Sequence, residues 1–401
     1  MMFDSKIITK DDLKNKKVLV RVDFNVPLEN GIVQDNSRIK NISPTIKFLK
    51  DAGAKIILIS HLGKTAQFNQ AQSLKNIIRE ITNEYKLKVV FIEDCLDENA
   101  SLIIENTPVS NIILVENLRF HSEEENCDFV FAKRLASWAD FYINEAFSVS
   151  HRKHASIFAI PKFLPHAFGL AFVSEIRTIN NFFNNVLPPR ICIIGGMKLS
   201  TKINLLKNLV MKVDKLALGG SVAGVFLSSL RKKSPCTPDS DIYAEEVSLI
   251  IENSQKYNCE LIMPVDFMIS NVEQKALYCS VASPEINAAD IFDIGPRTVE
   301  LFKHHLRESK TVLWNGPMGL FEKSSFENGT LSLAQEVSRL SLDKKLTSII
   351  CGGDTVFAVN KFQVSKNISH ISTAGGAFLA YLEGTKLPGI EAQKDFYTLQ
   401  E

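Results

Sequence analysis

Residues 18–60 read VLVRVDFNVPLENGIVQDNSRIKNISPTIKFLKDAGAKIILIS. The stretch opens on VLVRV (18–22) and closes on KIILIS (55–60), both rich in β-branched residues. Between them, residues 38–52 repeat apolar positions at helical spacing. An apolar run without polar alternation is a strand covered on both faces. Strand, helix, strand in that order pairs the two strands in parallel through a right-handed crossover.

The same pattern recurs along the chain. KVVFI (88–92), IILVE (112–116) and FYINE (141–145) extend the first series of strands. ICII (191–194), KLAL (215–218), ELIM (260–263), TVLW (311–314) and TSIIC (347–351) form a second. Helical periodicity fills the gaps at 73–85, 129–138, 201–212, 243–256, 297–308 and 331–342. Two series of about five strands predict an α/β protein of two doubly wound, Rossmann-like domains with parallel sheets. The expected limits are 1–171 for the first domain and 188–387 for the second. Between them VSEIRTINNFFNNVLPPR predicts one interdomain helix, 172–187, stopped by Pro188-Pro189 and acting as a hinge element.

Composition narrows the function. A chain of 401 residues with 45% hydrophobic and 23% charged residues can bury two cores. A formal net charge of +1 provides no global field for nucleic acid or an acidic membrane, so any anion site must be local. The seven cysteines are odd in number and contain no C-x-x-C, which points to reduced thiols in a cytoplasmic protein. The start, MMFDSKIITKDD, lacks a signal-peptide core, and no apolar run approaches a membrane span.

In open α/β sheets, ligands bind at the loops that follow the strands. In the first half these loops carry Asp23-Phe24-Asn25, then His61-Leu62-Gly63-Lys64, then Asn117-Leu118-Arg119, then His151-Arg152-Lys153-His154, with Arg38 opening a helix. Cations at several strand ends suit a small polyanion, and Asp23 and Asn25 suit its hydroxyls. His151 and His154 could instead be a metal pair, but no third ligand lies nearby in sequence.

In the second half the loops are rich in glycine: Gly195-Gly196-Met197-Lys198, Gly219-Gly220-Ser221, Asn315-Gly316-Pro317, Gly352-Gly353-Asp354-Thr355 and Ala374-Gly375-Gly376. Glycine lets backbone N–H groups approach phosphate, and a following helix favours negative charge. Asp354, the one carboxylate in these loops, is a candidate Mg2+ ligand or a helix N-cap. There is no P-loop, and DFN rather than G-x-G-x-x-G follows the first strand.

Taken in order, VRVDFNVP, SHLGK, ENLRFH, HRKHAS, GGMKLSTKI, DIGPRT, WNGPMGLFE, GGDT and HIST-GG resemble the phosphoglycerate kinase family from about residue 17 to 390. The resemblance implies reversible phosphoryl transfer between 1,3-bisphosphoglycerate and MgADP, giving 3-phosphoglycerate and MgATP, by a monomer that closes about a hinge. It implies phosphoglycerate binding by Asp23, Asn25, Arg38, His61, Lys64, Arg119 and Arg152. It implies nucleotide binding by Lys198, Lys202, Gly219, Gly220, Asn315, Glu322, Gly352, Gly353, Asp354 and Thr355, with Mg2+ on Asp354. Arg38, Lys198, Gly353 and Gly375 form the implied catalytic set, and the tail 388–401 is implied to pack back on the first domain.

The sequence departs from the family pattern at Lys64, where Arg is usual, and at Glu145 and Thr201, where Asp is usual. It also has Ser148-Val149-Ser150-His151 for GTAH, Ser221 and Ala374 for Gly, and a short loop after Lys64. A drifted, ligand-binding member without catalysis, or a dehydrogenase on two such domains, are the competing readings.

Overall fold

The computed structural model describes residues 6–64, 67–184, 188–231, 243–270, 276–281, 290–393 and 397–399. It divides into two compact units, Met1–Arg177 with Lys386–Glu401, and Thr178–Thr385.

The first unit is built on eight strands: β1 (Lys6–Ile8), β2 (Lys17–Arg21), β3 (Lys55–Ile59), β4 (Lys88–Ile92), β5 (Asn111–Val115), β6 (Phe141–Asn144), β7 (His166–Phe168) and, from the far end of the chain, β17 (Tyr397–Leu399). Their order across the sheet is β1-β17-β7-β6-β2-β3-β5-β4, and every pairing is parallel. Alternation along each strand assigns residues to two cores. Val18, Val20, Ile56, Leu58, Ile112, Leu114 and Ile143 pack with Ile46, Leu49 and Ile81. Leu19, Ile57, Ile59, Ile113, Val115 and Tyr142 pack with Ile104, Phe131 and Leu135. Both faces are covered, which is why these strands read as unbroken apolar runs; each Ile or Leu so buried contributes roughly 1.5–3 kcal/mol.

The second unit holds a six-stranded parallel sheet of β8 (Arg190–Ile194), β9 (Lys215–Leu218), β10 (Glu260–Ile262), β14 (Thr311–Asn315), β15 (Thr347–Cys351) and β16 (His370–Ile371), in the order β10-β9-β8-β14-β15-β16. Beside it lies a three-stranded antiparallel sheet of β11 (Asp266–Ser270), β12 (Ala276–Ser280) and β13 (Ile291–Ile294), in the order β12-β11-β13. Ile191, Ile193, Val312, Trp314 and Ile350 pack against Phe302, Leu306, Leu333 and Val337.

The expected helix over 38–52 is two helices, Ser37–Asn41 and Ser43–Asp51. Pro44 causes the break, because it removes an N–H and its ring excludes the carbonyl one turn back. The stretch 73–85 begins as a 3-10 turn, Leu74–Ile77, and becomes α-helical only at Ile78–Tyr85. The helix expected over 172–187 spans Leu170–Asn184, and the division between the units falls inside it; residues 185–187 lie outside the described residues.

That helix is held at its start by a buried carboxylate. Glu145, just past β6, accepts from Ala171 N at 3.0 Å, Phe172 N at 3.2 Å and the Thr45 hydroxyl at 2.5 Å. Thr45 Oγ1 in turn accepts from Leu170 N at 2.9 Å. A Cβ on residue 169 would stand 1.8 Å from Glu145 Oε2, so only Gly169 leaves room for this cap. Burial pushes Glu145 up to about 7, against the pull of its donors. The folded chain therefore keeps a proton that the unfolded chain releases near pH 4.5. Stability from this group is lost as pH rises from about 5 to 7, and the effect is flat above that. Against a Glu145→Gln variant, the wild-type chain is expected to lose up to ~1.4 kcal/mol per pH unit across that window. Urea unfolding at pH 5, 6, 7 and 8 measures it; a constant gap between the two proteins would mean the carboxylate is ionised throughout.

Candidate functional site

The first cluster forms where β2, β3, β5 and β6 end. Asp23 follows β2 and is almost fully buried. Its Oδ1 accepts from Asn25 N at 3.0 Å, and its Oδ2 accepts from Arg38 Nη1 at 2.6 Å and from the Ser148 hydroxyl. Asn25 Oδ1 accepts from Gly63 N at 2.9 Å, and Arg119 Nη1 donates to Gly63 O. Arg119 Nε also lies 3.2 Å from Glu125 Oε1. His61, buried beside them, has Nδ1 3.3 Å from Arg21 Nη2 and 3.9 Å from Asp23 Oδ1. One network thus joins Asp23, Asn25, Arg38, His61 and Arg119.

The charges are matched unevenly. Burial works against charge on Asp23; the Arg38 guanidinium and the Ser148 and Asn25 donors outweigh it and hold the carboxyl below its ordinary value. Burial, with Arg21, Arg119 and Arg38 around it, holds His61 well below the usual histidine value despite Asp23. Arg119 is lowered by burial first and then by the charge of Arg152. Two guanidinium groups held this near one another favour an anion between them. Arg152 Nε points to His151 Nε2 at 3.4 Å, and Lys64 is exposed at the edge of the cluster.

One expectation changes: Lys153 leaves the cluster, its ammonium lying 4.8 Å over the Phe158 ring. For His151 and His154, already disfavoured as a metal pair by the sequence, His154 Nδ1 sits 3.7 Å from Glu124 Oε1, and no group of three metal-ligating side chains exists among the described residues. Burial, with Arg21, Arg119 and Arg152 nearby, takes His154 down to about 3.

The second cluster is a cavity of about 280 Å³ in the other unit, lined by Thr201, Lys202, Asn315, Gly316, Gly352, Gly353, Asp354, Thr355, Gly375, Gly376 and Leu379. Helices Gly353–Lys361 and Gly376–Leu382 both start at it. Their first N–H groups have no intrahelical partners, which suits phosphate oxygens. Gly352 caps the first of these helices with φ of 92°, a conformation that glycine adopts without strain. No side chain caps that helix, and Asp354, in its first turn, makes no hydrogen bond or ion pair among the described residues. The N-cap role for Asp354 is not met, and its carboxylate stays available to a cation. Lys202 Nζ donates to Asn315 Oδ1, while Asn315 Nδ2 donates to Cys351 O at 2.9 Å. Asn315 thus holds Lys202 at the cavity, and burial lowers the Lys202 pKa. Thr355 Oγ1 accepts from Gly316 N at 2.7 Å and keeps its own proton to donate.

Lys198, Gly219, Gly220 and Glu322 do not line this cavity. Lys198 and Glu322 are exposed. Gly219 and Gly220 serve close packing: a Cβ at Gly219 would meet Met318 Sδ at 2.4 Å, and one at Gly220 would meet Gly196 O at 2.9 Å. Sequence reasoning gave no role to Ser148, and it passed over Arg21 and Glu124, two fully buried partners beneath the first cluster. The one available signal was an arginine inside the apolar run VLVRV.

Cations gathered at parallel strand ends in one unit, and a glycine-lined cavity with one carboxylate at two helix starts in the other, are the apparatus of a phosphotransferase. The comparisons with known proteins agree. The family profile described as phosphoglycerate kinase matches residues 8–385. The phosphoglycerate kinase of Wolbachia pipientis subsp. Culex pipiens is 40% identical over 396 residues, 98% of this chain and 100% of that protein. That of Dictyoglomus turgidum is 39% identical, covering 96% of this chain and 97% of its own. The solved structure of phosphoglycerate kinase from Coxiella burnetii superposes with a TM-score of 0.82 at 31% identity, over 97% of this chain and 99% of that one. The chain belongs to the phosphoglycerate kinase family.

Proposed function

We propose that the chain catalyses reversible phosphoryl transfer between 1,3-bisphosphoglycerate and MgADP, giving 3-phosphoglycerate and MgATP, a step of glycolysis and gluconeogenesis, as a cytoplasmic monomer. The observation that carries this reading is the pairing of the Asp23–Arg38–His61–Arg119 network with the Asp354 cavity, in a chain matched to the family from residue 8 to 385. Among the described residues no helix is long and apolar enough to cross a membrane.

On this reading residues 1–171, with the tail 388–401, bind the phosphoglycerate, and residues 188–387 bind the nucleotide, with the helix Leu170–Asn184 joining the two parts of the chain. Asp23 and Asn25 take the hydroxyl and carboxyl end of the substrate; Lys64, Arg119 and Arg152 take its phosphate. Lys202, Thr355 and the N–H groups at Gly353 and Gly375 take the nucleotide phosphates, and Asn315 orients Lys202. Gly219 and Gly220 border the adenine, and Glu322 reaches the ribose. Asp354 would hold Mg2+, a hard cation that binds through one or two carboxylates and phosphate oxygens. When bound, that ion neutralises phosphate charge.

The reaction asks little covalent chemistry of the protein. The group that departs from the acyl phosphate is a carboxylate, so no general acid is needed; positioning and charge neutralisation suffice. Arg38 and Lys198 belong to different units, so gripping one phosphoryl group together requires the units to close on both ligands, which also excludes water. A coupled assay with ATP, Mg2+ and 3-phosphoglycerate tests the proposal. ADP formation that depends on 3-phosphoglycerate is expected; its absence from a chain that still binds both ligands would favour a non-catalytic member.

Lys64 provides a finer test. Its ammonium is exposed and keeps one charge where a guanidinium would give two parallel hydrogen bonds. Lys64→Arg is expected to lower the KM for 3-phosphoglycerate by up to about tenfold, the worth of one charge-assisted hydrogen bond. The nucleotide KM should barely move. Equal phosphoglycerate constants in the two proteins would place residue 64 off the substrate.

A further inference from the structure

Arg21 is the last residue of β2, is fully buried, and meets a partner through each of its three nitrogens. Its Nε donates to Ser156 Oγ at 2.8 Å, its Nη1 donates to Val22 O, and its Nη2 lies 3.3 Å from His61 Nδ1. Glu124 Oε1 stands 4.0 Å from Nη2 and balances the charge. Glu124 is itself fixed, accepting from Ser156 N at 2.9 Å and Ser156 Oγ at 2.5 Å.

A guanidinium can only donate and does not lose its proton in a protein. Contact with His61 Nδ1 therefore requires a lone pair on that nitrogen. The rival partner for Nδ1 would be Asp23, which would instead demand a proton there. Geometry decides between them: Asp23 Oδ1 is 3.9 Å away and already accepts from Asn25 N, while Asp23 Oδ2 serves Arg38 and Ser148. The single ring proton is left on Nε2, and Nε2 has no hydrogen-bond partner among the described residues.

We propose that Arg21 is a positioning residue for the phosphoglycerate: it fixes His61 as the neutral tautomer with its proton on Nε2, so that His61 meets the substrate as a hydrogen-bond donor and not as a cation. This rests on the proposed function for the choice of ligand, but the tautomer itself does not. The charged groups facing His61 are Arg21 at the end of β2, Asp23 just after it, Arg38 on helix Ser37–Asn41 and Arg119 after β5, with Glu124 behind Arg21. Burial, and then three cations against one carboxylate, oppose an imidazolium and keep the ring neutral through the physiological range. A donor without charge supplies direction, while the arginines supply the charge, so substrate binding does not weaken as histidines lose their protons.

The test uses the full chain labelled with 15N at histidine. For His61, an acceptor-type Nδ1 and a protonated Nε2 are expected, unchanged from pH 6 to 8. Titration with 3-phosphoglycerate should shift the Nε2–H signal. An imidazolium at pH 7, a protonated Nδ1, or a signal indifferent to 3-phosphoglycerate each overturns the proposal, whether or not the chain shows transfer activity. In the kinetic arm, Arg21→Met is expected to raise the KM for 3-phosphoglycerate about tenfold, with kcat and the nucleotide KM within about twofold. His61 should then bind a proton more readily than in the wild-type chain, while burial, Arg119 and Arg38 still hold it below the ordinary histidine value. Arg21→Lys, which keeps a buried donor, should restore part of the affinity. If Arg21→Met does not fold because Glu124 is left unpaired, Arg21→Met with Glu124→Gln removes both charges together and carries the same expectation. An unchanged phosphoglycerate KM in a folded variant overturns the role of Arg21.

Discussion

Arg38→Ala is expected to lower kcat by about a thousandfold or more, since removing a guanidinium that neutralises a transferring phosphoryl group costs on the order of 10³–10⁵ in rate. The expectation rests on where Arg38 is anchored. Its Nη1 is held by Asp23 Oδ2 at 2.6 Å, and that carboxylate is itself gripped by Ser148 and Asn25. The guanidinium is therefore aimed before the substrate arrives, and no ordering is needed at the moment of transfer. Arg38→Lys should recover little, because a flexible ammonium cannot satisfy Asp23 and a phosphoryl oxygen in one planar array. Steady-state kinetics of both variants decide it. Turnover above about a tenth of wild type in Arg38→Ala, a loss of only ~1.4 kcal/mol, would remove Arg38 from the transfer step.

The second large effect falls on the other unit. Asp354→Ala is expected to lower kcat roughly a hundred- to a thousandfold, as removal of one preorganised electrostatic group commonly does. Asp354 lines the cavity with Lys202, whose ammonium feels its charge, and makes no hydrogen bond or ion pair among the described residues, so its carboxylate is not being spent on the helix. A readout independent of turnover accompanies this one. Calorimetric titration with ADP should be strengthened by Mg2+ in the wild-type chain and barely affected by it in Asp354→Ala. Binding of 3-phosphoglycerate should be the same in both. A variant whose ADP affinity still responds fully to Mg2+ would show that the cation is held elsewhere.

Much of the frame was legible in the sequence because its strands are buried on both faces. VLVRV, KIILIS and TVLW announce themselves by unbroken apolar character, and their observed limits differ by at most one residue. The strands that were missed are short and depend on distant partners. Among the described residues Lys6–Ile8 pairs only with Tyr397–Leu399, and nothing local in KII or YTL marks either as a strand. The antiparallel sheet of Asp266–Ser270, Ala276–Ser280 and Ile291–Ile294 was hidden for a different reason: its partners are near in sequence, but exposed positions such as Leu277 and Tyr278 break the expected alternation.

The site follows the same division. Loop cations after strands are visible in a sequence because side-chain chemistry and position coincide. What fixes them is not: Glu124 lies in the run SEEEN, which reads as a solvated surface, yet it is fully buried beneath Arg21. Ser148 is another such case. In the sequence it is a departure from the family pattern, and in the structure its hydroxyl fastens Asp23. Pairings of this kind depend on residues more than 100 positions apart meeting, which no local pattern encodes.

The place of β17 between β1 and β7 bears on how the protein is made. Strands β2 to β7 leave the ribosome early and can pair at once, but β7 then presents an open edge at His166–Phe168. Its neighbour, Tyr397–Leu399, is synthesised only after the whole of residues 178–385. At ordinary elongation rates of about 5–20 residues per second, that edge waits roughly 10–50 seconds for its partner. During this interval β1 has no strand to join, and an unpaired strand edge is a template for pairing with another nascent chain. Conditions that bring nascent chains close together, as on crowded polysomes, therefore expose this fold to edge-to-edge pairing before the last strand arrives.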